Sequence, residues 1–251
     1  MLGRDVTLDA LSAGHDAVFL AIGLAGVNAL GLDGEQLGGV DNAVEFIARL
    51  RQATDFSTLP VGRRVLVIGG GMTAVDAAVQ SRRLGAEEVT IVYRRGQEQM
   101  SASHHEQGWA QNNGVQIRTW SALKKLHSID GWVSAAMFAT VREQNGQLVE
   151  TGETWTAEAD TVFKAIGQTL DVGTTAGIVL QGGRIRVDEH GRTSRAGVWA
   201  GGDCTLGGRD LTVEGVEHGK IAAHSIDRAL RGDAPAPVGA PRCTHVRRAT
   251  S

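Results

Sequence analysis

Cysteine is almost missing from this chain: 251 residues hold two, Cys204 and Cys243. They are too far apart for a C-x-x-C dithiol and too few for a zinc or iron–sulfur site, so no metal ligand set is expected, and a reduced, cytosolic setting is the plain expectation. Proline is scarce too: three of its four copies fall in the final "GDAPAPVGAPRCTHVRRATS", which has no periodicity and is expected to be a disordered tail over residues 232–251. Charge of one sign is lacking. A net charge of −3 gives no electrostatic reason to expect nucleic acid or an acidic membrane, and Arg242 with Arg247 and Arg248 is too short for a nucleic-acid arm. Long apolar runs are absent as well. The one candidate, Ala17 to Leu32, follows Asp9, His15 and Asp16 instead of a basic segment and is broken by Gly23, Gly26 and Asn28, so it reads as a buried strand and a loop. No Ser-His-Asp arrangement or H-E-x-x-H occurs. His104 and His105 read as surface residues, and Trp109, Trp120, Trp132, Trp155 and Trp199 are scattered without helical spacing, as packing residues are.

Glycine, by contrast, is abundant at 34 residues, above the usual share of about 7%. Turns that need open backbone would account for the excess. "DAVFLAIG" (Asp16 to Gly23) has the form of a strand covered on both faces, and "DNAVEFIARLRQ" puts Val44, Ile47 and Leu50 on one helical face behind a cap at Asp41 or Asn42. A βαβ unit is expected next: strand Arg64 to Ile68, helix from about Met72 to Leu84, strand Val89 to Tyr93. Ser103 and Glu106 have capping-box spacing for a helix that stops at Gly114, followed by a strand over Val115 to Thr119. From Leu123 to Val162, turns at Asp130-Gly131 and Asn145-Gly146 predict an antiparallel meander. "DTVFKAIGQ" (Asp160 to Gln168) then echoes "DAVFLAIGL" (Asp16 to Leu24). A hairpin through Gly182-Gly183, a strand and glycine turn in "GVWAGGDC" (Gly197 to Cys204), and a helix from about Thr212 to Leu230 complete the pattern.

The stretch "VLVIGGGMTAVDAA" (Val65 to Ala78) carries the chemistry. Gly69, Gly71 and Ala74 form G-x-G-x-x-A. The first glycine permits the tight turn, the second lets a pyrophosphate approach the backbone, and the small third residue lets helix and strand pack closely. The free N–H groups of a helix beginning near Met72 and Thr73 would hold the pyrophosphate. NAD-selective sites end their second strand with an acidic residue; here that strand ends in Tyr93-Arg94-Arg95, and two guanidinium groups would pair with a 2′-phosphate. NADP(H) is favoured, with NAD(H) the alternative.

Together, "DAVFLAIG", "VIGGGMTAVDAA", "VTIVYRRGQEQM", "DTVFKAIGQ" and "VWAGGD…TVEGVEHGKIAA" make the chain, from about residue 5 to about 231, resemble the FAD/NAD(P)-dependent oxidoreductases of the glutamate synthase small subunit and dihydropyrimidine dehydrogenase type. The resemblance implies an α/β fold in which a Rossmann-like NAD(P)-binding domain (59–166) is inserted into a partial FAD-binding domain (1–58 and 167–231). It assigns Gly202 and Asp203 to the FAD ribityl and pyrophosphate and Thr212 and Val213 to the flavin ring end, and Ile22, Gly23, Ile166 and Gly167 are expected among the cofactor-binding residues. Donors at the start of the Thr212 helix would stabilise negative charge on a reduced flavin. Met72, Ser101 and Glu214 depart from the family pattern. No G-x-G-x-x-G lies before Val65, so the FAD βαβ and the iron–sulfur domain are expected to be missing or supplied by another polypeptide.

The implied activity is the passage of hydride from NADPH to FAD, with electrons going on to iron–sulfur clusters or a catalytic partner subunit. That chemistry belongs to the cofactors, so no side chain is assigned as acid, base or nucleophile. The alternative is a truncated NADP(H)-binding module without flavin turnover.

Overall fold

The computed structural model describes residues 2–59, 61–175 and 177–233; the expected tail lies outside these residues except for Gly232 and Asp233, which close the last helix. In chain order the elements begin with α1 (Leu8–Gly14), β1 (Val18–Leu20), β2 (Gly26–Val27), β3 (Val40–Asn42) and α2 (Ala43–Gln52). A β–α alternation follows: β4 (Arg64–Ile68), α3 (Met72–Arg83), β5 (Glu88–Val92), α4 (His104–Asn112) and β6 (Gln116–Arg118). Then come β7 (Ser121–Ile129), β8 (Trp132–Gln144), β9 (Gln147–Glu158) and β10 (Thr161–Lys164). The chain ends with β11 (Gln168–Thr169), β12 (Leu180–Gln181), β13 (Arg184–Ile185), β14 (Val198–Ala200) and α5 (Thr212–Arg231). By contacts the described residues form two compact units, one within 27–168 and one that joins 2–26 to 169–175 and 177–233.

The 27–168 unit is built on a parallel sheet of order β3-β10-β4-β5-β6. β4 is apolar without alternation because both its faces are covered. Val65 and Val67 join Ala74, Val75, Ala77, Ala78 and Val79 of α3 in a helix-side core, where Phe46 of α2 stacks on Phe163 of β10 with ring centroids 4.5 Å apart. Leu66 and Ile68 point the other way, onto Leu126, Val133, Ala136 and Phe138 of the antiparallel meander β7-β8-β9. The capping box forms: Ser103 Oγ accepts the Glu106 N–H and the Glu106 carboxylate accepts the Ser103 N–H. In α2 the buried positions are Ala43 and Phe46, one residue away from the predicted Val44 stripe. Phe46, stacked on Phe163, widens the buried face, while Ile47 of the predicted stripe packs against the same core.

The second unit has a smaller core of Leu8, Leu20, Leu170, Ile178, Ile185, Val198, Ala200 and Cys204. Its β1 runs parallel to β14, pairing Val18 with Val198 and Leu20 with Ala200. The echo seen in the sequence is divided. β10, from "DTVFKAIGQ", lies inside the five-stranded sheet, whereas β1, from "DAVFLAIG", has one strand partner among the described residues and leaves Phe19 36% exposed beside buried Leu20. The expectation of two covered faces therefore holds for β10 and is corrected for β1. α5 ends at Gly232 in the left-handed region, φ +74°.

Candidate functional site

In the 27–168 unit the predicted nucleotide residues gather at the C-terminal ends of the parallel strands. Gly69 leaves β4 with φ +148°, and a Cβ there would land on the Ala165 carbonyl at the end of neighbouring β10. Gly71 is the N-cap of α3, and no side chain caps that terminus. The N–H groups of Met72 and Thr73 have no hydrogen-bond partner among the described residues, while those of Ala74 and Val75 already donate to the Gly71 carbonyl. Two donors thus stand free at the positive end of a 12-residue helix, the geometry that holds a pyrophosphate. Ala74 is wholly buried, as close packing of helix on strand requires. The Met72 side chain stays 46% exposed and adds no polar group.

Arg94 and Arg95 follow β5 after Tyr93, and the end of that strand is tied to the loop by the Gly69 N–H donating to the Val92 carbonyl at 3.0 Å. Neither guanidinium has a hydrogen-bond or ion-pair partner among the described residues. This sets them apart from Arg63, which pairs with Glu87, and Arg118, which lies 3.3 Å over the Trp155 ring. Ile166 and Gly167 leave β10 beside the same loop. The Ile166 carbonyl accepts from Asn28 Nδ2 at 3.1 Å, and Gly167, at φ +92°, sits under that amide.

Sequence reasoning missed three contributors. Gly70 was a free position in the motif, yet a Cβ there would come within 2.6 Å of the Tyr93 ring. The segment carrying Ser101 folds over the loop: Ala102 N–H donates to the Gly70 carbonyl at 3.1 Å, and Ser101 Oγ stands 3.1 Å from a Cβ built on Gly71. Glu35 and Lys164 form an ion pair of 3.1 Å with side chains only 19% and 14% exposed, pinning the 30–37 loop to the end of β10. Burial pushes the Glu35 carboxyl up, but the N–H groups of Leu30 and Gly31 and the Lys164 ammonium outweigh it and hold the group below the usual carboxylate range. Tertiary distance hides this pair: 129 residues separate its members.

In the other unit the glycine turn after β14 brings its predicted residues together. Asp203 Oδ1 stands 3.6 Å from a Cβ built on Gly23, next to Ile22, and Gly202 at φ +85° has open space where a side chain would be. The Gly202 N–H donates to His218 Nδ1 at 3.0 Å, which sets the start of α5 against the turn. Thr212 and Val213 open that helix, and their N–H groups have no partner among the described residues. Glu214, one of the departures from the family pattern, is bound by Arg209 at 2.7 Å, which holds it below the usual range. Cys204 is buried, with its thiol pushed up by desolvation, so it is a poor nucleophile.

Residues 3–222 match the family model described as "Pyridine nucleotide-disulphide oxidoreductase". The chain belongs to this family. Among similar proteins, the beta subunit of an NADP(+)-dependent formate dehydrogenase from Moorella thermoacetica is 35% identical over 94% of this chain and 35% of its own length. The glutamate synthase [NADPH] small chain of Halomonas elongata is 32% identical over 90% of this chain and 52% of its own. Subunit PreT of an NAD-dependent dihydropyrimidine dehydrogenase from Escherichia coli O157:H7 is 31% identical over 92% of this chain and 52% of its own. The chain therefore spans between about a third and about half of these relatives. Mycobacterium tuberculosis FprA in complex with NADPH superposes with a TM-score of 0.72 at 18% identity, covering 92% of this chain and 67% of that one. The α/β fold is thus that of the two-dinucleotide-binding flavoproteins. No helix among the described residues is long and apolar enough to cross a membrane.

Proposed function

We propose that this oxidoreductase chain binds NADPH in the 27–168 unit and FAD against the 1–26 and 169–233 segments, as the nucleotide-handling portion of an electron-transfer enzyme. The observation that carries the reading is the pairing of an uncapped helix terminus at Gly71 with two unpartnered arginines at the end of the next strand. In this reading the Met72 and Thr73 N–H groups hold the pyrophosphate, and Ala74 lets the helix come close. Arg94 and Arg95 take the 2′-phosphate by charge-assisted hydrogen bonds, and Ile166 and Gly167 line the crevice. Ile22, Gly23, Gly202 and Asp203 fit the sugar and phosphate part of FAD, because Gly202 leaves room for close approach and Asp203 offers an acceptor for hydroxyl groups. The N–H groups of Thr212 and Val213 face the place where negative charge develops on a reduced flavin. With Arg209 holding Glu214, that carboxylate is neutralised and does not oppose such charge.

A bound flavin would take a two-electron equivalent from NADPH and release electrons singly to an iron–sulfur or partner subunit. The relatives' names include NADP(+), NADPH and NAD. The arginine pair is what argues for the phosphorylated nucleotide. Three relatives named as subunits or chains of larger enzymes support a partner subunit here. A second reading, an NADP(H)-binding module without flavin turnover, is favoured by one observation: every residue assigned to the nucleotide lies within the single 27–168 unit.

One experiment separates the two. Protein reconstituted with FAD should be yellow and should bleach anaerobically on addition of NADPH. A colourless preparation that still binds NADPH would leave only the second reading. In the same assay Arg94→Glu should cut the NADPH-over-NADH preference by about tenfold or more, since a charge-assisted hydrogen bond is worth about 1.5–3 kcal/mol; an unchanged preference would overturn the role given to Arg94.

A further inference from the structure

The turn that carries Arg94 and Arg95 is held from two sides by residues that the nucleotide reading does not use. On one side, Gln99 reaches back so that its Oε1 accepts the Gly96 N–H at 3.0 Å, while its Nε2 donates to Glu143 Oε2 on β8 at 2.7 Å. The Tyr93 hydroxyl donates to the Gln99 carbonyl at 3.0 Å, closing the loop on itself. On the other side stands Trp120, a bulky residue with φ +54° in the left-handed region. That backbone is unfavourable for any side chain but glycine, and a strained residue that persists does so because its surroundings fix it. The strained conformation lets the Trp120 N–H donate to the Arg95 carbonyl at 3.1 Å while its own carbonyl accepts from Val141 N–H of β8 at 2.9 Å. Its indole covers buried Gly96: Cζ2 lies 3.0 Å from where a Cβ would stand. Both braces end on β8, two residues apart, at Val141 and Glu143.

We infer that Gln99 and Trp120 are positioning residues for nucleotide specificity, clamping the Arg94–Gly96 backbone to the meander so that two unpaired guanidinium groups are held ready for a 2′-phosphate. The inference rests on the NADPH reading above. Its physical basis is preorganisation: a turn already fixed in its bound form loses less conformational freedom when the anion arrives. The β7-β8-β9 meander thereby gains a task beyond covering the sheet. Because the clamp acts only on the arginine turn, it affects a ligand that carries the 2′-phosphate and spares one that lacks it.

The test measures Kd for NADPH and NADH by calorimetry on the whole chain, for wild type, Gln99→Ala, Trp120→Ala and Arg95→Glu. Gln99 is exposed and changes no charge when truncated, so this variant keeps the fold. Gln99→Ala is expected to raise the NADPH Kd about three- to tenfold, the worth of one or two hydrogen bonds, and to move the NADH Kd by less than about twofold. Trp120→Ala is expected to act in the same direction. A parallel loss for both nucleotides, or no change for either, would overturn the clamp. A wild type without preference for NADPH would overturn the clamp and the cofactor reading together. Preference abolished in Arg95→Glu yet intact in Gln99→Ala would overturn the clamp alone.

Discussion

At the scale of single residues, Glu35 and Lys164 show how a charge pair can shape a site without entering it. Their ion pair is mostly shielded from water, and Glu35 accepts in addition from the backbone of the loop that it closes. Replacing Glu35 by Gln keeps an acceptor but leaves the Lys164 ammonium half-buried without its countercharge. The expected cost is about 1–3 kcal/mol in a denaturant titration at neutral pH. The pH dependence has a definite sign. A carboxyl whose folded pKa lies below its unfolded value contributes stability that is present above the unfolded value and lost as pH falls through the folded one. Wild type should therefore lose this contribution below about pH 4.5, and Glu35→Gln should lack that part of the acid limb. Equal acid limbs in the two proteins would mean that the pair contributes nothing.

At the scale of elements, one strand, one turn and one helix build the nucleotide loop. β4, the glycine loop and α3 were legible in the sequence because the pattern is local: a continuous apolar strand, glycines at fixed spacing and a small residue on the first helical turn. The capping box of α4 was legible for the same reason. What the sequence could not show is what leans on the loop from elsewhere. The Tyr93 ring lies over Gly70, and the Ser101–Ala102 segment closes on it, through contacts that depend on how β5 and α4 pack and not on any spacing within the motif. Gly70→Ala tests this packing. A methyl group placed 2.6 Å from the ring forces Tyr93 or the loop to shift, with an expected loss of about 1–3 kcal/mol in stability and weaker binding of both pyridine nucleotides. Wild-type stability and affinity in this variant would show that the ring moves freely and does not shape the loop. The most buried side of α2 likewise depends on a distant partner, since Phe46 stacks on Phe163 beside the predicted face, whose Ile47 packs against the same core.

At the scale of the molecule, the family resemblance implies domain edges near residues 58 and 166, and the contacts group the chain into units that meet at Gly26–Val27 and Gln168–Thr169. Near the second of these, "AIGQ" ends a strand pattern that is readable in the sequence. Near the first no local pattern marks the change, since β3 and α2 join the 27–168 unit through pairing with β10 and packing on α3, and only the fold brings those partners together. The two halves of the echoed motif fall in different units for the same reason: one strand has neighbours on both sides and the other has one among the described residues. The proposed function rests on a single site, where the Met72 and Thr73 N–H groups at the start of α3 would hold a pyrophosphate and Arg94 and Arg95 would take a 2′-phosphate. Calorimetric titration of the whole chain with NADPH and with NADH tests it most directly. The account predicts heat of binding for both, with NADPH the tighter by about tenfold or more; a well-folded protein that gives no heat with either nucleotide at millimolar concentration would contradict it.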